Sequence, residues 1–216
     1  MNAHEEIATI FIEAISPALI DAGFALHGDE YVRVLADGPP QILHLQFSEH
    51  SDESHVEWTY NLTCFVPELY AVRGEAPPEE PRFGFGPRVR LAQLLPPAPT
   101  EFWYSLGDLP FPPEFLADQA AAEGYDMRDP ASVQARVRRD LDEVVIPFFA
   151  RTRTLADWFA LVKSPQGEQC SAFEHVVLAL LVGDRAYAEE MLTKAFADRP
   201  DVQGYLAERF GVLSRS

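Results

Sequence analysis

Apolar residues recur at helical spacing through the first twenty positions. Ile7, Ile10, Phe11, Ala14, Ile15, Ala18 and Leu19 fall on one stripe of a helix drawn over residues 3–22. Ser16-Pro17 interrupts that stripe, as an N-cap and first-turn proline opening a new segment would, and Gly23 ends it. The period then changes. Short strands are predicted over Phe24–Leu26, Tyr31–Leu35, Ile42–Phe47 and His55–Val66. In the last two, Leu43, Leu45 and Phe47 alternate with His44, Gln46 and Ser48. Likewise, Val56, Trp58, Tyr60, Leu62 and Cys64 alternate with Glu57, Thr59, Asn61 and Thr63. A period of two on both strands predicts an antiparallel hairpin with one face on a core and the other polar.

Residues 67–100 carry Pro67, Pro77, Pro78, Pro81, Pro87, Pro96, Pro97 and Pro99, a density that denies the stretch a central strand or a long helix. A long surface connection is expected, with a short ordered piece at Val89–Leu95. Beyond the proline knot at Pro110, Pro112 and Pro113 the pattern turns helical. The expected helices are Phe115–Ala122, Ala131–Val145 behind the cap Asp129-Pro130, and Leu155–Val162, with Pro147 bending or breaking the chain between the last two. Ser164–Gly167 reads as a linker. Ala172–Val182 is apolar nearly all round and calls for burial, and two amphipathic helical segments follow it.

The expectation is an α+β fold: an antiparallel sheet of about four to six strands, packed by N-terminal and middle helices, with a C-terminal helical tail. The division expected is an α+β domain over residues 1–163 and a tail over 164–216 packed on it. Core members should include Phe11, Ile15, Leu43, Leu45, Trp58, Tyr60, Leu62, Phe148 and Phe159.

Composition narrows the function. The 216 residues are 47% hydrophobic, yet the longest apolar run, Val176–Val182, falls far short of the ~20 residues of a membrane span. The acidic N-terminus does not read as a signal peptide. Seventeen basic against 34 acidic side chains give a net charge of −17, with 15 of the acids in residues 1–100. Nucleic acid and anionic membranes are therefore disfavoured partners, and basic ones favoured. Cys64 and Cys170 form no Cys-x-x-Cys pair, which suits a reducing cytoplasm.

No nucleophile elbow, Walker sequence or dinucleotide-binding glycine series is present, so no catalytic residue, cofactor or metal ligand is assigned. The candidate ligand-binding residues are His44, Gln46, Ser48 and Asn61 on the hairpin's polar face, where cross-strand neighbours lie ~5 Å apart. Arg90 joins them, from the basic segment Arg82–Arg90, either to bind a ligand carboxylate or to pair internally. His50 and His55 flank Asp52 and Glu53 at the hairpin tip, where a solvated turn is the expected state. Glu57 and Glu101 show no sequence sign of facing one another. Phe102-Trp103-Tyr104 reads as core filling, or as a ligand platform.

A spaced series runs through Pro17-x-Leu19, Gly23-Phe24, Tyr31-x-Arg33, Leu45-Gln46-x-Ser48, Asn61-Leu62 and Arg90-Leu91-x-x-Leu94-Leu95-Pro96, followed by Trp103. Over roughly residues 8–162 it resembles the bacterial family catalogued as domain of unknown function 4304. The hairpin departs from that pattern, lacking a basic residue near Phe47 or Glu49 and a glycine near Thr63. The resemblance implies a helix–sheet α+β fold without established chemistry, and an association of some members with genes for contact-dependent toxins and their immunity proteins. Two readings follow. One is a cytoplasmic acidic protein-binding module, of immunity type in its narrower form, meeting a basic toxin or other basic partner. The other is a small-molecule or metal-dependent enzyme working on the hairpin's polar face.

Overall fold

Prolines shape both of the long helical segments. In the computed structural model, which describes residues 3–96, 101–108, 123–167 and 170–210, helix α1 (Ala3–Ile10) passes through a π-turn (Phe11–Ile15) directly into α2 (Ser16–Asp21). The expected break at Ser16-Pro17 is thus a change of helix type. Pro17 has no N–H to give the carbonyl of Glu13, and its ring crowds that oxygen. A widened turn relieves both, with the Ser16 N–H reaching back to the Phe11 carbonyl. The same solution recurs between α4 (Pro130–Asp140) and α5 (Ile146–Arg151). There the π-turn Leu141–Val145 precedes Pro147, and the Ile146 N–H bonds to the Leu141 carbonyl. The chain is neither broken nor ended at Pro147; it stays helical through Phe148 and Phe149. The Asp129 carboxylate caps α4 by accepting the Ala131 N–H, as the Asp-Pro pair predicts. The helix expected over Phe115–Ala122 lies outside the described residues.

Among the described residues six strands form one antiparallel sheet: β1 (Ala25–His27), β2 (Glu30–Arg33), β3 (Gln41–Phe47), β4 (His55–Cys64), β5 (Arg88–Arg90) and β6 (Tyr104–Gly107). They run in the order β1-β2-β3-β4-β5, and β6 also pairs with β4, setting Val56 opposite Leu106, Glu57 opposite Ser105 and Trp58 opposite Tyr104. This is the α+β class the patterning predicts. Two details differ. The proline-rich stretch is not a bare connection, since Pro67 opens a helix, α3 (Pro67–Val72), where its missing N–H is harmless. And β4 is covered on both faces: Thr59, Asn61 and Thr63 are as buried as Trp58, Tyr60 and Leu62. Only Glu57 among its residues keeps partial exposure. The hairpin's polar face is therefore closed over at β4 rather than solvated.

The chain divides into two compact units. One comprises Met1–Arg33, Leu43–Asn61 and Arg90–Ala150. Helices α1 and α4 pack on β6, and the rings of Trp58, Tyr60 and Phe102 gather within 5.4 Å of the Tyr104 ring. Within this apolar setting sits a carboxylate. Asp140 is buried and accepts hydrogen bonds from the Tyr104 hydroxyl at 2.8 Å and the Arg136 Nε at 2.6 Å. Arg136 also donates to the Glu123 carbonyl and lies over the Phe102 and Tyr125 rings. Taking an ion pair out of water costs several kcal/mol, and only such complete pairing offsets it.

The second unit comprises Val34–Ile42, Leu62–Val89 and Arg151–Ser216. Its helices are α3, α6 (Leu155–Val162), α7 (Ala172–Leu181), α8 (Arg185–Ala195) and α9 (Pro200–Phe210). The apolar α7 packs against α6, α8 and α3, so the demand its composition makes for cover is met within the chain. Ser171 caps α7 reciprocally with Glu174, and Asp184 caps α8 by accepting the Tyr187 N–H. Gln41 Nε2 donates to the Thr152 carbonyl at 2.8 Å, and the Tyr205 hydroxyl donates to the Ala71 carbonyl. In the segment Arg82–Arg90, Gly86 sits where any Cβ would collide with the Cys64 carbonyl. The glycine there serves close packing on the end of β4. Of the nine expected core residues, eight are buried. Phe11 is only partly buried, its ring 6.0 Å from that of Phe47.

Arg136→Ala leaves the buried Asp140 carboxylate with the Tyr104 hydroxyl and the more distant Arg139, 3.8 Å away, and should lower unfolding free energy by ~3 kcal/mol, the low end for a broken buried pair. Tyr104→Phe removes one hydrogen bond and should cost ~1–3 kcal/mol. Denaturant midpoints at neutral pH measure both, and equal losses would contradict the ranking. A second expectation concerns alkali. Burial raises the Tyr125 phenol from 10.0 to about 12 and pushes Tyr104 well up. Their contribution is complete below pH ~10 and falls as pH rises towards Tyr125's folded value of about 12. Thermal midpoints should drop across that window, and tyrosinate absorbance should appear together with unfolding.

Candidate functional site

The hairpin of β3 and β4 positions one polar cleft. Ser48 N–H donates to the Glu57 carbonyl at 2.9 Å, which fixes the strand ends, and Ser51 Oγ receives the Glu57 N–H at 3.0 Å. The tip is held by its own side chains. Asp52 Oδ1 accepts the Ser54 N–H and Oγ at 2.7 Å each and the His55 N–H at 3.1 Å. Those bonds, from the Ser54 hydroxyl first, hold the Asp52 carboxyl well below the usual carboxylate range. His55 is buried, with Nδ1 3.3 Å from Asp52 Oδ1. Asp52 and His55 are thus committed to the turn. Among the described residues no group of three or more His, Cys, Asp or Glu side chains is placed to share a metal ion.

The cleft has a volume of about 400 Å³. Gln46 and Ser48 from β3 and its continuation, Glu57 from β4, and Glu101 and Trp103 from the segment entering β6 line it, with Phe47, Glu49 and His50 at the turn. In the Phe102-Trp103-Tyr104 run, Phe102 and Tyr104 are buried and fill the core, while Trp103 lines the cleft. Glu57 and Glu101 give the cleft two carboxylates, and Glu49 a third. Ser105 Oγ donates to Glu57 Oε1 at 3.4 Å, and Arg90 pairs with Glu101 at 3.3 Å.

Of the five residues singled out by sequence, Gln46 and Ser48 line this cleft. Asn61 stands behind it, fully buried, and its Nδ2 donates to Gln46 Oε1 at 2.9 Å. It therefore positions Gln46 rather than meeting a ligand. Arg90 takes the internal alternative through Glu101. His44 lies beyond the lining, its Nε2 3.5 Å from the exposed Asp29 carboxylate. The carboxylates Glu57 and Glu101 are 44 positions apart and meet only through the β4–β6 pairing. No local motif announces them. The in-out-in alternation at 102–104 was the one available signal for Trp103.

The arrangement accepts hydrogen bonds and positive charge. Three carboxylates, an amide oxygen and an indole face suit a guanidinium or ammonium group. Replacing Asn61 by Ala removes the donor to Gln46 Oε1, which faces the cleft, and should cost ~0.5–1.5 kcal/mol of stability. Chemical denaturation reads the loss, and a neutral outcome would show that the Gln46 amide finds another partner.

No family model, no curated protein and no solved structure matches the chain.

Proposed function

We propose that this protein is an acidic binding module whose hairpin cleft takes a basic side chain of a protein partner in the cytoplasm. The carrying observation is the conjunction in one cleft of Glu49, Glu57 and Glu101 with the aromatic faces of Phe47 and Trp103. A net charge of −17 speeds the encounter with a basic partner from outside the cleft, and the cleft supplies the register. Arg90 acts as an internal place-holder. Its exposed pairing with Glu101 is worth at most about 1 kcal/mol, so an arriving guanidinium exchanges with it at little loss. An immunity-type role, in which the partner is a basic toxin, is the narrower form of this proposal. No described helix is long and apolar enough to cross a membrane.

Trp58 and Trp158 are fully buried, whereas Trp103 is partly exposed at the cleft. Titration with a hexa-arginine peptide should therefore change Trp103 emission and weaken steeply with salt, and hexa-glutamate should do nothing. The Glu57→Gln/Glu101→Gln variant should bind hexa-arginine about tenfold more weakly, as expected for two lost charge contacts. Glu189→Gln/Glu208→Gln, with the same change in net charge, should bind normally. Equal weakening in both variants would reduce the effect to overall charge and defeat the proposal. In the native host, affinity purification at low and moderate salt should recover a basic protein that the cleft variant fails to retain.

A further inference from the structure

A second cleft lies wholly within the unit formed by Val34–Ile42, Leu62–Val89 and Arg151–Ser216. Its volume, about 470 Å³, is that of a small-molecule site. Pro39, Pro40, Pro67 and Pro81 line it, and Phe65 and Leu155 extend the apolar surface. This wall is preformed. Proline fixes its own backbone angle, the Phe65 N–H is bonded to the Pro40 carbonyl at 2.8 Å, and Gly38 sits where a Cβ would collide with the Arg153 carbonyl. Little ordering remains to be done when a ligand enters.

The polar groups of the cleft are one-sided. Its ionisable side chains among the described residues are Asp37, Glu68 and Glu79, and none of its lining side chains is a lysine, arginine, histidine, amide or hydroxyl. Ionised carboxylates only accept hydrogen bonds, and four prolines contribute carbonyls without N–H groups. A ligand here must bring the donors and the positive charge, while its body matches an apolar wall. Glu68 and Leu155 stand in the first turns of α3 and α6, where backbone N–H groups are available, yet an anion there meets three like charges.

We propose that this cleft binds a small organic cation with an apolar body, of the arylalkylammonium class. The ring lies against Phe65, the prolines and Leu155, and the ammonium group faces the rim of Asp37, Glu68 and Glu79. This site is independent of the hairpin cleft and requires nothing of a protein partner.

Three probes of nearly equal size separate the contributions: phenethylamine, 2-phenylethanol and 3-phenylpropanoate, each titrated into the full chain and followed by backbone amide shifts. Phenethylamine should move the amides of Phe65, Val66, Glu68 and Leu155, the alcohol should bind the same place about fivefold more weakly, and the carboxylate should not bind. In Asp37→Asn/Glu68→Gln/Glu79→Gln the amine should fall to the affinity of the alcohol, whose own binding stays unchanged. Leu155→Trp fills the cleft and should abolish both, provided its thermal midpoint shows an intact fold; Leu155→Met, which leaves room, should retain both. Equal binding of amine and alcohol to the native chain would overturn the cation assignment. Shifts elsewhere, preference for the carboxylate, or no binding by any probe would overturn the site. Glu57→Gln/Glu101→Gln should leave phenethylamine binding untouched, so a failure of the hairpin reading is read separately from a failure of this one.

Discussion

A single buried carboxylate organises the unit that carries the hairpin. Asp140 stands on α4, takes the Tyr104 hydroxyl of β6 and the Arg136 guanidinium one turn earlier on its own helix, and through Arg136 reaches the Glu123 carbonyl. Apolar contacts would tolerate small slides of α4 along the sheet, because they are non-directional. A charge-assisted bond of 2.6 Å beside a hydroxyl bond of 2.8 Å tolerates none without stranding an ion. The register of α4 against β6 is thereby fixed. Since β6 pairs with β4 so that Ser105 faces Glu57, the same constraint sets where Glu57 stands in the cleft.

The hairpin cleft and the proline-walled cleft use different physics. In the first, carboxylates cluster round hydrogen-bonding groups on a sheet, and on the proposed reading selectivity comes from matching a planar or compact cation. In the second, apolar surface dominates and charge is confined to the rim. Both lean the same way electrically, in keeping with 34 acidic side chains against 17 basic ones. Several of the basic side chains lie over aromatic faces. Arg73 lies 4.1 Å from the Phe85 ring centre, Arg88 4.4 Å from that of Phe83, and Arg33 4.7 Å from that of Phe24. What remains for a partner is mainly negative.

Much of the fold was legible because periodicity is a local property. The stripe over Ile7–Leu19, the alternation through Leu43–Phe47 and Val56–Cys64, and the caps at Asp129 and Asp184 all stand in the sequence within a few residues of what they determine. Strand β6 escaped notice because four residues carry too little pattern and its pairing with β4 spans some fifty positions. The closed polar face of β4 escaped for a related reason. Alternation distinguishes two faces of a strand and is silent on whether the polar one is covered. Gln46 and Ser48 were visible as cleft residues since they sit on the hairpin itself, whereas Glu101 and Trp103 arrive from a separate segment. The Asp140–Arg136–Tyr104 node had half a signature, an Arg and Asp four apart on a helix. Nothing local marked that pair as buried rather than solvated.

The two π-turns carry a consequence for how these helices evolve. A π-turn holds about one residue more than an α-turn, so everything beyond it is rotated by about 100° relative to an uninterrupted helix. The faces that bury Ala18 and Leu19 after the first, and Phe148 and Phe149 after the second, are correct only with that offset in place. Once the downstream faces have been selected, Pro17 and Pro147 are no longer what keeps the turns wide. Losing either proline would restore a donor without restoring a regular helix, because straightening would swing buried side chains out of the core. The detour and the packing hold each other in place, and only a compensating one-residue deletion would release them together.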